Sequence, residues 1–449
     1  MTANILLHKP SRMWTYYPDL LATPVPRYTS FPTAAEFGEM PSDDYRQALS
    51  NVSGAVSLYL HIPFCEKICY YCGCNTGAAG RRYRLESYLD ALHREIESVA
   101  ALLPAGTEIS RVSFGGGSPN AIAPTDFVRL VDAMTIHFGL TDPVYSIELD
   151  PRTMTRDWAE ALRLVGVERA SLGVQTFAKH CQERIGRVQS EDMILQTTDW
   201  LREAGVTSLN YDLMYGLPGQ TRDDLHDTLS RTRVLGADRI ALFGYAHVPH
   251  IVPRQRAIDA TGLPDQAQRF AMAAEGFAYL VTHGYTPVGF DHFAIPGKDA
   301  LASAALSGQL KRNFQGFTDD QAPNLIGLGA SAIGAFPHLI VQNEKNSGRY
   351  RMRASAGNLA TERGVRRSVD DRLRGEIIEA LLCRGETNVA PRLLAEVQPH
   401  LERFVDRGLA AVHGGSLQIC PDGLPYARTI ASLFDPYRRQ SSRRFSSAV

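Results

Sequence analysis

The sequence has no hydrophobic run of 18 or more residues, so it offers no candidate for a membrane-spanning helix. It also lacks an excess of charge, because 47 basic residues stand against 48 acidic ones and the formal net charge is −1. A near-neutral chain argues against a broad electrostatic contact with nucleic acid or an anionic membrane. The N-terminus shows neither the apolar core nor the small-residue cleavage site of a signal peptide. We therefore expect a cytoplasmic protein without a membrane or nucleic-acid partner.

Cysteine is sparse and unevenly spread, since four of the seven cysteines lie between Cys65 and Cys74. A disulfide scaffold would distribute them, and a reducing compartment keeps them as thiols. The spacing favours an iron–sulfur cluster whose ligands are Cys65, Cys69 and Cys72. Structural zinc is the alternative, with His61 as a fourth ligand, but no second pair of ligands follows in the sequence.

Between residues 51 and 355, short apolar runs alternate with amphipathic stretches of helical period. The predicted strands are Val56–Ile62, Arg111–Phe114, Val144–Leu149, Ala170–Val174, Leu209–Met214 and Ile240–Tyr245. The predicted helices are Arg82–Ala101, Thr125–Phe138, Thr155–Val165, Ser190–Ala204, Thr221–Leu235 and Gln266–His283. Repeated βαβ units predict an α/β fold with a parallel sheet, either most of a (β/α) barrel or a doubly wound open sheet.

The two flanking segments differ from this central domain. Residues 1–50 are rich in proline and show little periodicity, which predicts an extended arm. In residues 356–449 we predict helices over Asp370–Leu382 and within Arg392–Arg407, then a hairpin whose turn is Gly414-Gly415. This order predicts a small helical, winged-helix-like domain. Such a domain raises the hypothesis of a zinc-stapled DNA-binding protein, although its charge is not concentrated.

Polar residues follow the carboxyl ends of all six predicted strands, where barrels and open α/β sheets place their sites. The first strand precedes the cysteines, and Gly115-Gly116-Gly117 follows the second. The glycines serve either the close approach of a ligand or a tight turn with positive φ. The remaining strands end at Glu148, Gln175, Asp212 and Tyr245 with His247.

The spacing CxxxCxxC resembles the signature of the radical S-adenosylmethionine (SAM) superfamily. Within it, much of the chain is similar to the family of oxygen-independent coproporphyrinogen III oxidases. The matching stretches are Pro26–Ala34, Leu58–Cys65, Cys69–Asn75, Asp212–Pro218, Tyr245–His247, Asp291–Ala294 and Asn313–Gly316. The chain departs from the family pattern at Tyr71, Ser118 and Gly186, where Phe, Thr and Asn are usual.

The resemblance implies a partial (β/α)6 TIM-like barrel of the radical SAM type over residues 51–355. It further implies a [4Fe–4S] cluster on Cys65, Cys69 and Cys72 with one iron open to S-adenosylmethionine, and catalytic roles for Cys74 and Tyr59. The residues it assigns to the first S-adenosylmethionine are Tyr59, Gly116, Gly117, Ser118, Glu148, Gln175, Arg187 and Asp212. Those it assigns to a second molecule are Tyr71, Gly73, Met214, Ala246 and Ile333.

The implied reaction converts two propionate side chains of coproporphyrinogen III to vinyl groups, giving protoporphyrinogen IX and two molecules of carbon dioxide. The family also implies a low-potential electron donor of the flavodoxin or ferredoxin type, an unknown electron acceptor and a monomer. Arg27, Lys311 and Arg312 are the residues we expect to bind the substrate carboxylates. The alternative is a haem chaperone of the same family, although such proteins typically lack the arm and the second cysteine of Cys72-Gly73-Cys74.

Overall fold

The computed structural model describes residues 14–80 and 82–440. Residues 1–13 of the predicted arm and residues 441–449 of the predicted C-terminal domain lie outside this range. None of the described helices combines the length and the hydrophobicity that a bilayer crossing requires.

Six strands and six helices of the central domain lie within two residues of their predicted bounds. The strands are β1 (Val56–Ile62), β2 (Ile109–Gly116), β3 (Val144–Leu149), β4 (Arg169–Gln175), β5 (Ser208–Tyr215) and β6 (Arg239–Gly244). The helices are α1 (Arg82–Ala100), α2 (Pro124–Phe138), α3 (Arg156–Val165), α4 (Glu191–Glu203), α5 (Arg222–Val234) and α6 (Gln266–Thr282).

Side-chain caps explain why several of these helices begin where they do. The side chains of Thr155 and Ser190 accept hydrogen bonds from the third residue beyond each cap, at the start of α3 and α4. Thr221 with Asp224, and Asp265 with Gln268, form capping boxes at the start of α5 and α6.

The order of the strands decides between the two predicted architectures. Strands β1 to β6 pair in parallel and in sequence order, as in a (β/α) barrel, without the order reversal of a doubly wound sheet. A seventh parallel strand, Asn324–Leu328, pairs with β1 on its other side and was not predicted. Antiparallel strands extend the sheet at both ends, namely Ile333–Phe336, Leu339–Asn343, Thr361–Arg366 and Gly38–Glu39 at one end, and His292–Ala294 and Thr286–Val288 at the other.

The C-terminal part contains the predicted helices and hairpin. Its main helices are Val369–Arg384 and Pro391–Val405, and Gly414 and Gly415 adopt φ of 56° and 91° in the turn between Ala410–His413 and Ser416–Ile419. A third short strand, Glu386–Asn388, pairs with the hairpin. The domain division at residue 355 stays a prediction, and the strand Thr361–Arg366 still belongs to the main sheet.

The arm packs against the C-terminal part in one apolar cluster, which includes Leu20, Leu21, Ile378 and Leu381. The hydroxyl of Tyr28 donates to Asp435 at 3.0 Å across the same boundary. The remaining helices are Pro18–Leu21, Ser42–Ser50, Lys179–Arg184, Ala300–Ser307, Ser347–Ser355, Ala427–Ala431 and Pro436–Gln440. Two further strand pairs are Phe64–Cys65 with Gly77–Ala78, and Lys311–Asn313 with Gly316–Thr318.

Candidate active site

The predicted cysteines lie in a loop between β1 and α1, which we call the cysteine loop (residues 65–74). Pairing of Phe64–Cys65 with Gly77–Ala78 closes its base, where the Ala79 amide donates to the Cys65 carbonyl at 2.9 Å. The four cysteines of this loop line one cavity of about 470 Å³ at the carboxyl ends of the barrel strands. Cys69 is buried, whereas Cys74 is exposed and lines the cavity.

The spacing of the three sulfurs separates a cluster from a single zinc ion. Thiolates around one zinc ion, each about 2.3 Å from the metal, lie about 3.8 Å apart. Cys65, Cys69 and Cys72 do not all come within 4.8 Å of one another; among the described residues the one group that does is His180, Cys181 and Asp224. A cubane holds its ligand sulfurs farther apart, because each thiolate binds a different iron. The donor set therefore fits an iron–sulfur cluster better than a single zinc ion.

Two arginines contact the sulfur of Cys69. Arg152 donates from Nη2 at 3.3 Å and Arg187 from Nη1 at 3.4 Å. Asp150 binds both guanidinium groups, at 2.6 Å and 3.2 Å, and all three side chains are less than a tenth exposed. Burial alone would raise the pKa of Asp150, but Arg187 and Arg152 lower it overall. The arrangement places a net positive charge beside the Cys69 sulfur.

The run of glycines serves the packing of the cysteine loop. Gly116 has φ of 117°, and a Cβ there would lie 2.7 Å from the His61 ring. A Cβ at Gly117 would lie 2.5 Å from the Phe64 carbonyl oxygen. The end of β2 therefore fits against the start of the cysteine loop only without side chains, and the tight-turn reading of the glycines applies at Gly116.

Two carboxyl groups, those of Glu148 and Asp212, line the cavity at the mouth of the barrel. The pKa of Glu148 is raised to about 7. The main cause is desolvation by burial, and the second is repulsion from Asp212. Burial also raises the pKa of Asp212, whose oxygens accept hydrogen bonds from Ser171 at 2.9 Å and Asn210 at 2.8 Å. Carboxyl groups with these properties can accept hydrogen bonds from ligand hydroxyls.

The cavity brings together most of the residues that the resemblance assigned to cofactors. Besides the cysteines it is lined by Tyr71, Gly73, Gly116, Gly117, Glu148, Gln175, Arg187, Asp212, Met214 and Ala246. Three predicted residues lie outside its lining. The Tyr59 hydroxyl is 3.1 Å from His61 Nδ1, Ser118 donates to Asn120 at 2.6 Å, and Ile333 lines a separate cavity of about 490 Å³.

Sequence reasoning missed three buried residues of this site. Asp150 and Arg152 directly follow β3, so the rule that selected Glu148 could have found them. Gln255 is 2% exposed and donates from Nε2 to the carbonyls of Tyr71 at 2.9 Å and Ala246 at 3.1 Å. It ties together two residues predicted for the second S-adenosylmethionine, and no local pattern marks it.

Of the residues predicted to bind substrate carboxylates, only Arg27 lines the cavity. Lys311 faces Glu379 at 3.9 Å, and Arg312 donates to the carbonyls of Tyr28 and Arg27. A smaller cavity of about 60 Å³ adjoins the first, since Arg27 lines both, and it also includes Arg428.

Comparison with known proteins agrees with this geometry. The radical SAM superfamily matches residues 59–232. The oxygen-independent coproporphyrinogen III oxidase of Bradyrhizobium diazoefficiens is 39% identical over 438 residues, which cover 95% of this chain and 97% of the relative. The chain belongs to the family of oxygen-independent coproporphyrinogen III oxidases.

Other members of the family are comparably similar. The oxidase of Escherichia coli K12 is 38% identical over 431 residues, which cover 93% of this chain and 94% of that protein. A solved structure of the Escherichia coli coproporphyrinogen III oxidase, described as a radical SAM enzyme, aligns with a TM-score of 0.88. That alignment has 36% identity and covers 95% of this chain and 100% of the other. Membership implies a [4Fe–4S] cluster and S-adenosylmethionine, and the radical SAM fold predicted from the sequence is confirmed.

Proposed function

We propose that this chain catalyses the oxidative decarboxylation of coproporphyrinogen III, converting two propionate side chains to vinyl groups. The product is protoporphyrinogen IX, a step of haem biosynthesis that does not use oxygen. The observation that carries the proposal is one cavity that combines the thiols of Cys65, Cys69 and Cys72 with the cationic side chain of Arg27. Relatives that align with nearly the whole chain are named for this activity.

Cys65, Cys69 and Cys72 would hold the cluster, and the open side of the cavity leaves room for a nucleotide beside them. When bound, the cluster and S-adenosylmethionine supply the one-electron chemistry that removes a hydrogen atom from the substrate. Such chemistry suits this substrate because the β-carbon of a propionate carries no acidic proton that a general base could remove. The protein's task is to bind, orient and exclude water.

The side chains around the first nucleotide have complementary chemistry. Glu148 and Asp212 would accept hydrogen bonds from ribose hydroxyls, and Arg187 would pair with the carboxylate of the methionine moiety. Gln175, with φ of 68°, and the glycines at the end of β2 would supply close backbone contacts. Tyr59 would help to position Glu148, because the Tyr59 hydroxyl and the Glu148 carboxyl both lie next to Gly115. The hydroxyl is 3.0 Å from the position of a Cβ at Gly115.

A second S-adenosylmethionine is part of the proposal. Tyr71, Gly73, Met214 and Ala246 line the same cavity, and Gln255 donates hydrogen bonds to the carbonyls of Tyr71 and Ala246. Ile333 would contribute from the neighbouring cavity. Cys74 lies in the cavity without a place in the three-ligand set, which suits a role in turnover.

The substrate carries four carboxylates, so its site needs cations. Arg27 stands where the two cavities meet, with its guanidinium 5.2 Å from the Phe243 ring centroid. Burial first, and then repulsion from Arg27, lower the pKa of Arg428 to about 10. An anion bound between these two arginines would relieve that repulsion. We therefore assign Arg27 and Arg428 to substrate carboxylates, in place of Lys311 and Arg312.

An anaerobic assay tests the proposal directly. Reconstituted protein is incubated with coproporphyrinogen III, S-adenosylmethionine and a strong reductant, and the porphyrinogens are separated after oxidation. We expect a divinyl product. If protein with a full cluster forms none, the proposed function is wrong. Arg27→Gln should raise KM at least tenfold, because a charged hydrogen bond contributes about 1.5–3 kcal/mol. Arg46→Gln, which changes an exposed arginine on the helix Ser42–Ser50, is the matched control.

The same assay separates the enzyme from a haem chaperone, which would bind haem and form no vinyl product. The described part of the arm and Cys74, the features that such chaperones typically lack, are both present here and near the cavity. The electron donor, the electron acceptor, the monomeric state and the cytoplasmic location stay predictions.

A further inference from the structure

Arg152 has no role in the cofactor contacts assigned above, yet it is bound to the cysteine loop at two points. Its Nη2 donates to the Lys67 carbonyl at 3.1 Å and to the Cys69 sulfur at 3.3 Å. Asp150 fixes it in place, accepting from Nε at 3.0 Å and from Nη2 at 2.6 Å. The side chain is 7% exposed, so its orientation is set by these contacts rather than by solvent.

The three ligand sulfurs differ in the groups that contact them. Cys69 receives the charged donors Arg152 and Arg187. Among the described residues, Cys65 contacts the neutral hydroxyl of Thr76 at 3.2 Å, and Cys72 contacts the backbone amide of Cys74 at 3.4 Å and its thiol. Both charged hydrogen bonds that the described residues make to the three ligand sulfurs therefore go to Cys69. Hydrogen bonds to the sulfurs and local net charge are among the factors that set the potential of an iron–sulfur cluster.

We propose that Arg152 is a positioning residue that raises the reduction potential of the cluster through its charged hydrogen bond to the Cys69 sulfur. Reduction adds negative charge to the cluster and its thiolates. A guanidinium at a ligand sulfur stabilises the reduced form more than the oxidised form, because the interaction is stronger with the more negative partner. The inference rests on the proposed function in one respect, that Cys69 ligates a cluster.

The test is a redox titration of the anaerobically reconstituted protein, followed by electron paramagnetic resonance of the reduced cluster. Arg152→Gln removes the charge and should shift the reduction equilibrium at least tenfold toward the oxidised form, about 59 mV for one electron. Arg152→Lys keeps the charge but not the planar fork that reaches Asp150 and Cys69 together, so its shift should be smaller.

Two controls separate the charge from other effects. Thr76→Val removes a neutral contact from the Cys65 sulfur and should shift the equilibrium less than Arg152→Gln does. Arg156→Gln removes an exposed arginine four residues from Arg152, which pairs with Glu203 at 3.4 Å, and should leave the potential unchanged.

Iron and sulfide contents, measured on the same samples, distinguish the possible failures. Arg152→Gln with a full cluster at the wild-type potential overturns the inference. If this variant loses its cluster, Arg152→Met, which also removes the charge, decides, and a full cluster at the wild-type potential in that variant also overturns it. If neither variant holds a cluster although both fold, Arg152 serves retention only, and the inference is wrong. A wild-type protein without any cluster refutes the proposed function instead.

Discussion

Each end of the barrel contains one aspartate that binds two arginines, and the two groups have different roles. Near the amino ends of the strands, Asp319 binds Arg111 at 2.9 Å and Arg169 at 2.7 Å and 3.0 Å. At the carboxyl ends, Asp150 binds Arg152 and Arg187. Each set has one carboxylate and two guanidinium groups, and in each the arginines hold the pKa of the carboxyl below its usual value despite burial.

The two sets differ in what their arginines contact besides the carboxylate. Asp319 accepts hydrogen bonds from both guanidinium groups at 2.7–3.0 Å, so this set contributes to stability. Around Asp150 each arginine also donates to the Cys69 sulfur. One carboxylate with two arginines thus has a structural role at one end and belongs to the candidate active site at the other. The two groups have the same charge and differ in where the arginine N–H groups point.

The largest effect is expected from removing the Cys69 sulfur, which both Arg152 and Arg187 contact. We expect Cys69→Ser to abolish retention of the cluster, because a serine hydroxyl is a poor substitute for a thiolate ligand. Cys74→Ser should keep the cluster and lose turnover. Iron and sulfide analysis with visible absorbance measures both, and Cys420→Ser in the C-terminal hairpin region is the control. Loss of the cluster in Cys74→Ser would contradict this division of roles.

Removing each carboxylate tests the two ends separately. Asp150→Asn leaves two buried arginines without their counter-charge and should lower the free energy of unfolding by about 3–5 kcal/mol. It should also lower the iron content, because two uncompensated buried charges beside the cysteine loop would disturb its packing. Asp319→Asn should cost somewhat less stability, since its partners are 15% and 16% exposed, and should leave the iron content unchanged. Urea unfolding and iron analysis decide, and a cluster lost in Asp319→Asn would refute the distinction.

A third buried carboxylate, Glu95, sharpens the comparison because its donors are neutral. It accepts hydrogen bonds from Gly329 N at 2.6 Å, Asn343 Nδ2 at 2.7 Å and Tyr350 at 2.6 Å. Burial raises its pKa from 4.5 to about 7, although these hydrogen bonds oppose the shift. The folded protein then binds a proton more tightly than the unfolded chain. The stability contributed by Glu95 is therefore fully present below pH 4.5 and is lost as the pH rises through about 7.

Glu95→Gln cannot titrate, so the difference in unfolding free energy between wild type and variant should change by up to about 3 kcal/mol between pH 4.5 and pH 7. Wild type should lose stability relative to the variant as the pH rises. Urea unfolding at a series of pH values measures this, and a constant difference would show that Glu95 has an ordinary pKa in the folded protein.

The smallest expected effect concerns Gly186, beside Arg187. It has φ of 66°, and a Cβ there would lie 2.9 Å from the Tyr70 ring. Gly186→Ala should lower the free energy of unfolding by about 1 kcal/mol through backbone strain, plus a small contribution from moving the ring. Gly205→Ala has the same strain at φ of 93° without a neighbour within 4 Å. Equal losses in both variants would show that the ring contact contributes nothing.

Local patterns carried most of the fold prediction. The runs that form β1 and β3 have the predicted bounds, and Thr155, Ser190 and Thr221 mark helix starts through their side-chain bonds. The parallel strand Asn324–Leu328 was missed because it does not end an ordinary βαβ unit. A Cβ at its Gly327 would lie 2.6 Å from the Ile333 carbonyl oxygen, a requirement that only the folded sheet reveals.

The site was predictable where chemistry is local in the sequence and not where it depends on distant strands. The spacing of the cysteines is enough to predict which three of them bind the cluster. Arg187 meets Asp150 across 37 residues, and Gln255 meets Tyr71 across 184. Such contacts follow from the order and register of neighbouring strands, so no pattern within one segment predicts them.

Mössbauer spectroscopy of iron-57-labelled, anaerobically reconstituted protein tests the central claim most directly. The claim is that Cys65, Cys69 and Cys72 hold a [4Fe–4S] cluster with one iron free for S-adenosylmethionine. We expect four equivalents of iron and sulfide, and a change in the spectrum of one of the four irons when S-adenosylmethionine is added. Zinc in place of iron, or a full cluster whose spectrum S-adenosylmethionine leaves unchanged, would contradict the account.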